Sequence, residues 1–183
     1  TFANKSGFGF DGNNSIGTIT PNIPFYLGEF THYNNPIPAP SNPFGFVDLE
    51  VNVTGVQCAD GSTPSEGSNF TFTYRFYLDE TSNGGTCPYP GTDPCSDKVT
   101  VSNDPSPVLF TCSENDIPVE YTVQVLGFAE STTNANGGCA NSTYPGTSSD
   151  EFITNERNDN YACLWAQITR YEPPVDLSVT KSD

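Results

Sequence analysis

The chain has 183 residues, with six Lys and Arg against 22 Asp and Glu, giving a formal net charge of −16. That field repels a phosphate backbone, which excludes nucleic acid as a natural partner, and no apolar run approaches the ~18 residues a membrane-crossing helix needs. Sixteen Gly, sixteen Pro and many Asn, Ser and Thr divide the chain into short segments rich in Val, Ile, Thr, Phe and Tyr, an all-β composition. With no Met and one Trp, Phe and Tyr must fill much of the core.

The first segment of chemical interest is Asp11-Gly12-Asn13-Asn14-Ser15. Asp11, Asn13 and Ser15 put oxygen-bearing side chains at alternate positions, the spacing by which a loop aims ligands at calcium. The distal bidentate Glu of an EF-hand loop is missing, and the same residues also spell an ordinary turn. Strands are then predicted by period-two alternation at 25–33, 46–53, 70–78, 98–102, 108–112, 119–128 and 162–171. So many strands in one chain are accommodated by two packed sheets, a disulfide-braced β-sandwich for which a jelly roll is one possible winding.

His32, the one histidine, falls in the first of these strands. A hydrolytic triad would have to be built on it alone, whereas a strand-end imidazole bonded to a turn is the simpler role. Adjacent carboxylates such as Asp79-Glu80 and Asp150-Glu151 arise by chance in so acidic a chain. No catalytic residue is assigned and no enzyme is expected. Asn155 to Asn160 is a second calcium candidate, with Arg157 counting against it. Calcium is thus the one cofactor to expect.

The six cysteines, Cys58, Cys87, Cys95, Cys112, Cys139 and Cys163, lack the short paired spacings and neighbouring histidines of a zinc site. Disulfides are expected instead, and with them an oxidising compartment, secreted or at the cell surface. Cys87 and Cys95 bracket CPYPGTDPC and form the local pair; the other four leave three connectivities open. Sequons at Asn4, Asn13, Asn52, Asn69 and Asn141 are candidate glycosylation sites. Tyr89 and Tyr144, each beside Pro-Gly in a turn-rich loop, are candidates for stacking on sugars, against the simpler role of turn packing. The connection ESTTNANGGCANSTYPGTSSDE is long enough to be either functional or pinned by a disulfide.

At Glu172-Pro173-Pro174 the character changes. A sandwich domain over 1–172 is expected, followed by a proline-led linker and terminal strand over 173–183. Val175, Leu177 and Val179 alternate there, suiting a strand that docks on its own domain, is donated to a neighbour, or opens a following domain.

The segments PFYLGEFTHYNNPI, VEYTVQVLGF and NERNDNYACLWAQIT together resemble the choice-of-anchor K domain family across most of Phe8 to Thr169, most specifically at Leu27 to Ile37. The resemblance implies a bacterial surface or secreted protein and carries no catalytic residue; the abundance of cysteines departs from the family pattern. The run Val175 to Lys181 is also similar to the opening strand of immunoglobulin-like repeats in large prokaryotic surface proteins. The expected function is a non-enzymatic extracellular structural or adhesive module of a surface protein or filament. A glycan-binding module and a filament subunit assembled by strand donation are the alternatives. Its partners would be other surface-protein domains, copies of itself, or glycans.

Overall fold

The computed structural model describes residues 5–37, 45–83, 86–91, 95–102, 109–131, 135–139 and 142–171. Nine strands are present among them: β1 (Gly7–Gly12), β2 (Phe25–Asn34), β3 (Phe46–Val53), β4 (Phe70–Asp79), β5 (Asp97–Val101), β6 (Leu109–Glu114), β7 (Ile117–Glu130), β8 (Glu151–Thr154) and β9 (Asn158–Arg170). They form one five-stranded sheet, ordered β1-β2-β9-β7-β6, and one four-stranded sheet, ordered β3-β4-β5-β8. Every pairing is antiparallel. The hairpins β1-β2 and β6-β7 and the meander β3-β4-β5 keep sequential strands side by side, while the chain crosses between sheets from β2 to β3, β5 to β6, β7 to β8 and β8 to β9; with β3 paired to β4 and not to β8, the order departs from a simple jelly roll. No helix of the described residues is long and apolar enough to cross a membrane.

Strand β4 shows most simply why these segments pair. Its residues alternate strictly, with Phe70, Phe72, Tyr74, Phe76 and Leu78 buried and Thr71, Thr73, Arg75 and Tyr77 exposed. One face therefore meets the core and the other meets water. Phe76 stacks on Phe30 of β2 at 4.8 Å between ring centroids and touches Phe128 of β7 at 5.9 Å, which joins the two sheets into one sandwich. Leu164 and Ala166 of β9, both fully buried, belong to the same core cluster.

The disulfides pair Cys58 with Cys112, Cys87 with Cys95, and Cys139 with Cys163. The first crosses between sheets, from the connection after β3 to β6. The second closes the loop between β4 and β5, the pairing expected from the sequence. The third fastens the long connection after β7 onto β9.

That connection covers the outer face of the five-stranded sheet. Trp165, Tyr144, Tyr26, Leu126 and the Cys139–Cys163 bridge make a second, smaller apolar cluster there. Tyr144 meets Trp165 edge-on at 5.2 Å. The carboxylate of buried Glu29 accepts from the backbone N–H of Gly137 and Cys139, and Phe128 pairs with Ser149 as an isolated bridge. Gly127 makes that approach feasible: at φ 114° it sits at a bulge in β7, and a Cβ there would lie 2.3 Å from the Ser149 carbonyl oxygen.

Candidate functional site

The buried end of the sandwich is built by a continuation of strand parity. In β4 the inward row Phe76, Leu78 runs on to Glu80; in β5 the row Val101, Val99 ends on Asp97; in β2 the row Phe30, His32 ends on Asn34. In β8, Phe152 and Thr154 lead to Glu156 in the turn before β9. Asp97 sits opposite Thr154 in the sheet, and Glu80 follows one step beyond the Asp79–Lys98 pair. Four strands thus leave the apolar core at one end and each replaces its next inward side chain with an oxygen-bearing one.

Carboxylate oxygens of Glu80, Asp97 and Glu156 consequently lie within 4.8 Å of one another. Asp97 is fully buried and Glu156 is 5% exposed. One Asp97 oxygen accepts from the backbone N–H of Thr81 at 2.7 Å and from its hydroxyl at 3.1 Å. The other Asp97 oxygen and both oxygens of Glu80 and of Glu156 make no hydrogen bond of ordinary geometry, although Glu80 and the Asn34 amide approach Asp97, and the Asn83 amide and the Arg157 backbone N–H approach Glu156, closely enough to influence their proton affinities. Asn34, fully buried, donates to the carbonyl and hydroxyl oxygens of Thr154 and is turned toward the Asp97 carboxylate; its own Oδ1 has no partner. Asn83 reaches toward Glu156 with its Oδ1 likewise unpartnered.

Leaving buried acceptors unmatched costs free energy, and crowding three carboxylates adds mutual repulsion. Burial, followed by the charges of Asp97 and Glu156, pushes Glu80 up to about 8. Burial also raises Asp97 and Glu156. No Lys or Arg among the described residues makes a salt bridge to any of the three. The set is all oxygen, which suits a hard cation and is poorly suited to a softer metal.

The residues expected from sequence are dispersed. Asp11, in edge strand β1, is exposed and faces Glu29 in the register. Asn13 donates to the Tyr26 carbonyl and accepts from the Ser15 N–H, so its oxygen closes a turn. The second candidate segment supplies Glu156, while Arg157 is exposed and takes a positive φ at the turn. Asn160 holds that turn by bonding Asn155 through both of its amide atoms.

His32 is fully buried and touches the edge of Phe8. Its Nδ1 bonds Thr154 Oγ1 at 2.8 Å, and burial lowers its pKa to about 4, keeping the ring neutral at neutral pH. Tyr89 bonds Asp79 through its hydroxyl and has Lys98 over its ring. Tyr144 is spent on Trp165 and Ser148. Asn52 and Asn69 are exposed, Asn13 is half-buried, and Asn4, Asn141 and the segment 173–183 lie outside the described residues.

Sequence reasoning missed Glu80 and Asp97. The signal that could have found them is parity: each is the next inward position after a clean apolar row. No protein-family model matches the chain, and no curated protein matches it significantly.

Proposed function

We propose that the chain is a non-enzymatic structural or adhesive module of a prokaryotic surface protein or filament, working outside the cell through its surface. The observation that carries this reading is the bracing. All six cysteines are paired, one pair ties sheet to sheet and another pins the long connection over the outer face. Such pairs persist in oxidising surroundings. The charge of −16 suits a solvated exterior. The resemblance of the LGEFTHYNNPI segment to the choice-of-anchor K family favours the same reading.

A glycan-binding role is the second reading, favoured by one feature. On the outer face of β3 and β4, Phe46 is 50% exposed and Tyr77 is 44% exposed; the rings lie 6.3 Å apart, with the Arg75 guanidinium 4.0 Å from the Phe46 ring centroid. An exposed aromatic pair beside charged Arg75 and Asp48 offers both a stacking face and hydrogen-bonding groups.

The test is to measure the oxidised chain by sedimentation, on a glycan array, and against ester, peptide and glycoside substrates. Self-association without turnover supports the structural reading, and sugar binding lost in Phe46→Ala or Tyr77→Ala supports the second. Turnover abolished by His32→Ala or by substitution of one carboxylate overturns both.

A further inference from the structure

We infer that Glu80, Asp97 and Glu156, with Asn34 and Asn83 around them, form a binding site for one divalent cation, calcium, that clamps the two sheets at this end of the sandwich. The inference does not depend on the surface-module reading, since it concerns what holds this end of the fold together.

Three observations converge. The first is spacing: oxygens bound to one calcium ion at about 2.3–2.6 Å can be at most about 5 Å apart, and the three carboxylates meet that limit, with ligand atoms all within 4.8 Å of one another. The second is chemical. The site offers three carboxylates, which supply up to six oxygens when each binds through both, within the six to eight that calcium takes with water completing the shell. Magnesium needs a tighter octahedron and keeps much of its water, which a buried pocket of this kind does not favour.

The third is independent of the acidic cluster itself. Asn34 is fully buried, comes from the opposite sheet, and brings its amide N–H groups to Asp97 and Thr154, while its Oδ1 has no partner; a simple flip of the amide would turn that oxygen to the carboxylates. A buried amide oxygen left without a donor is rare unless a cation or water is its natural partner. The surroundings are also rigidly set: Thr81 anchors one Asp97 oxygen, leaving the other directed to the cluster, and Thr81 is tied to Ser96, next to the Cys87–Cys95 bridge.

The ligands come from the ends of β2, β4 and β5 and from the β8–β9 turn, so a bound ion connects the five-stranded sheet to the four-stranded one. Metal affinity then becomes folding free energy.

The test is calorimetric titration of the EDTA-treated, folded full chain with calcium chloride and, separately, magnesium chloride, alongside thermal melts. The expected result is one calcium per chain with a dissociation constant at or below the ~1 mM of extracellular modules, at least tenfold weaker magnesium binding, and a melting temperature that rises with calcium. Glu156→Gln and the milder Glu80→Gln should each weaken calcium binding at least tenfold. Asp11→Asn should leave it unchanged. Should a cluster variant fail to fold, hydrogen exchange on the wild-type chain decides: calcium must protect amides at 80–83, 95–97 and 154–157. Absence of saturable calcium binding, binding that survives Glu156→Gln, or protection centred on 11–15 overturns the inference.

Discussion

Replacing both Cys139 and Cys163 with Ala removes the bond that holds the long connection over Trp165. The bridge spans 24 residues in sequence, and chain entropy puts its stabilisation at about 3.5 kcal/mol. Both cysteines are fully buried, so the lost sulfurs add a packing loss of about 1–2 kcal/mol. The Cys87–Cys95 bridge, spanning only eight residues, should contribute about 2.5 kcal/mol by the same entropy argument. Equilibrium urea unfolding of the two double-Ala variants measures the difference. Trp165 is the only tryptophan and is 3% exposed beneath Tyr144, so its emission reports whether the connection has lifted. The Cys139/Cys163 variant should lose more stability and show a red-shifted native spectrum, while the Cys87/Cys95 variant keeps the wild-type spectrum. An unshifted spectrum together with a smaller loss than in the Cys87/Cys95 variant would refute the account of this connection as a pinned cover.

In chelator, these two groups, Glu80 and His32, should give stability a broad maximum between about pH 4.5 and 6.5. Glu80 is raised from 4.5 to about 8 in the folded chain, so its contribution is lost as pH rises through that range. His32 is lowered from 6.5 to about 4, so the unfolded chain takes its proton first and stability falls as pH drops below 6.5. A tenfold change in proton affinity on folding corresponds to at most about 1.4 kcal/mol, less for part-buried Glu80 because solvent screens it; urea midpoints in EDTA across pH 4–9 check the shape, and a flat profile counts against it. Gly127→Ala should cost about 1–3 kcal/mol in backbone strain alone, with lost exchange protection at Phe128 and Ser149, whose N–H groups each bond the other's carbonyl; wild-type protection there would contradict the close approach. His32→Ala should cost about 2–4 kcal/mol through a cavity and an abandoned Thr154 bond and alter no hydrolytic activity; a catalytic loss without a stability loss would assign the ring a different role.

All seven strands expected from sequence are present, with ends displaced by at most a few residues. The segments 46–53 and 70–78 emerge essentially as predicted because each buries one face only. Strand β1 was missed because GFGFDG carries three glycines and reads as turn, yet it pairs along all six residues with β2. Strand β8 was missed because four residues give alternation no length to register. The bulges at Leu27 and Leu126 each insert one residue opposite β9, a tertiary accommodation to the close approaches at Gly28 and Gly127 that no local pattern announces.

The local Cys87–Cys95 bridge was legible because only its spacing mattered. The pairing of Cys58 with Cys112 depends on which strands face each other across the sandwich, and so was not. For the candidate site, the segment Asn155 to Asn160 drew attention through its oxygen-rich composition and does contribute Glu156. Asp79-Glu80 looked like a chance pair because composition cannot tell an outward carboxylate from an inward one. The strand parity separates them: Asp79 is exposed, and Glu80 joins the buried cluster.

The claim that this chain is an extracellular surface module is tested most directly by immunogold labelling of intact cells of the source organism, using antibody raised against the oxidised, folded chain. The account predicts gold on the cell exterior or along fibres extending from it, without permeabilisation. Label that appears only after the cells are opened, confined to their interior, would contradict it.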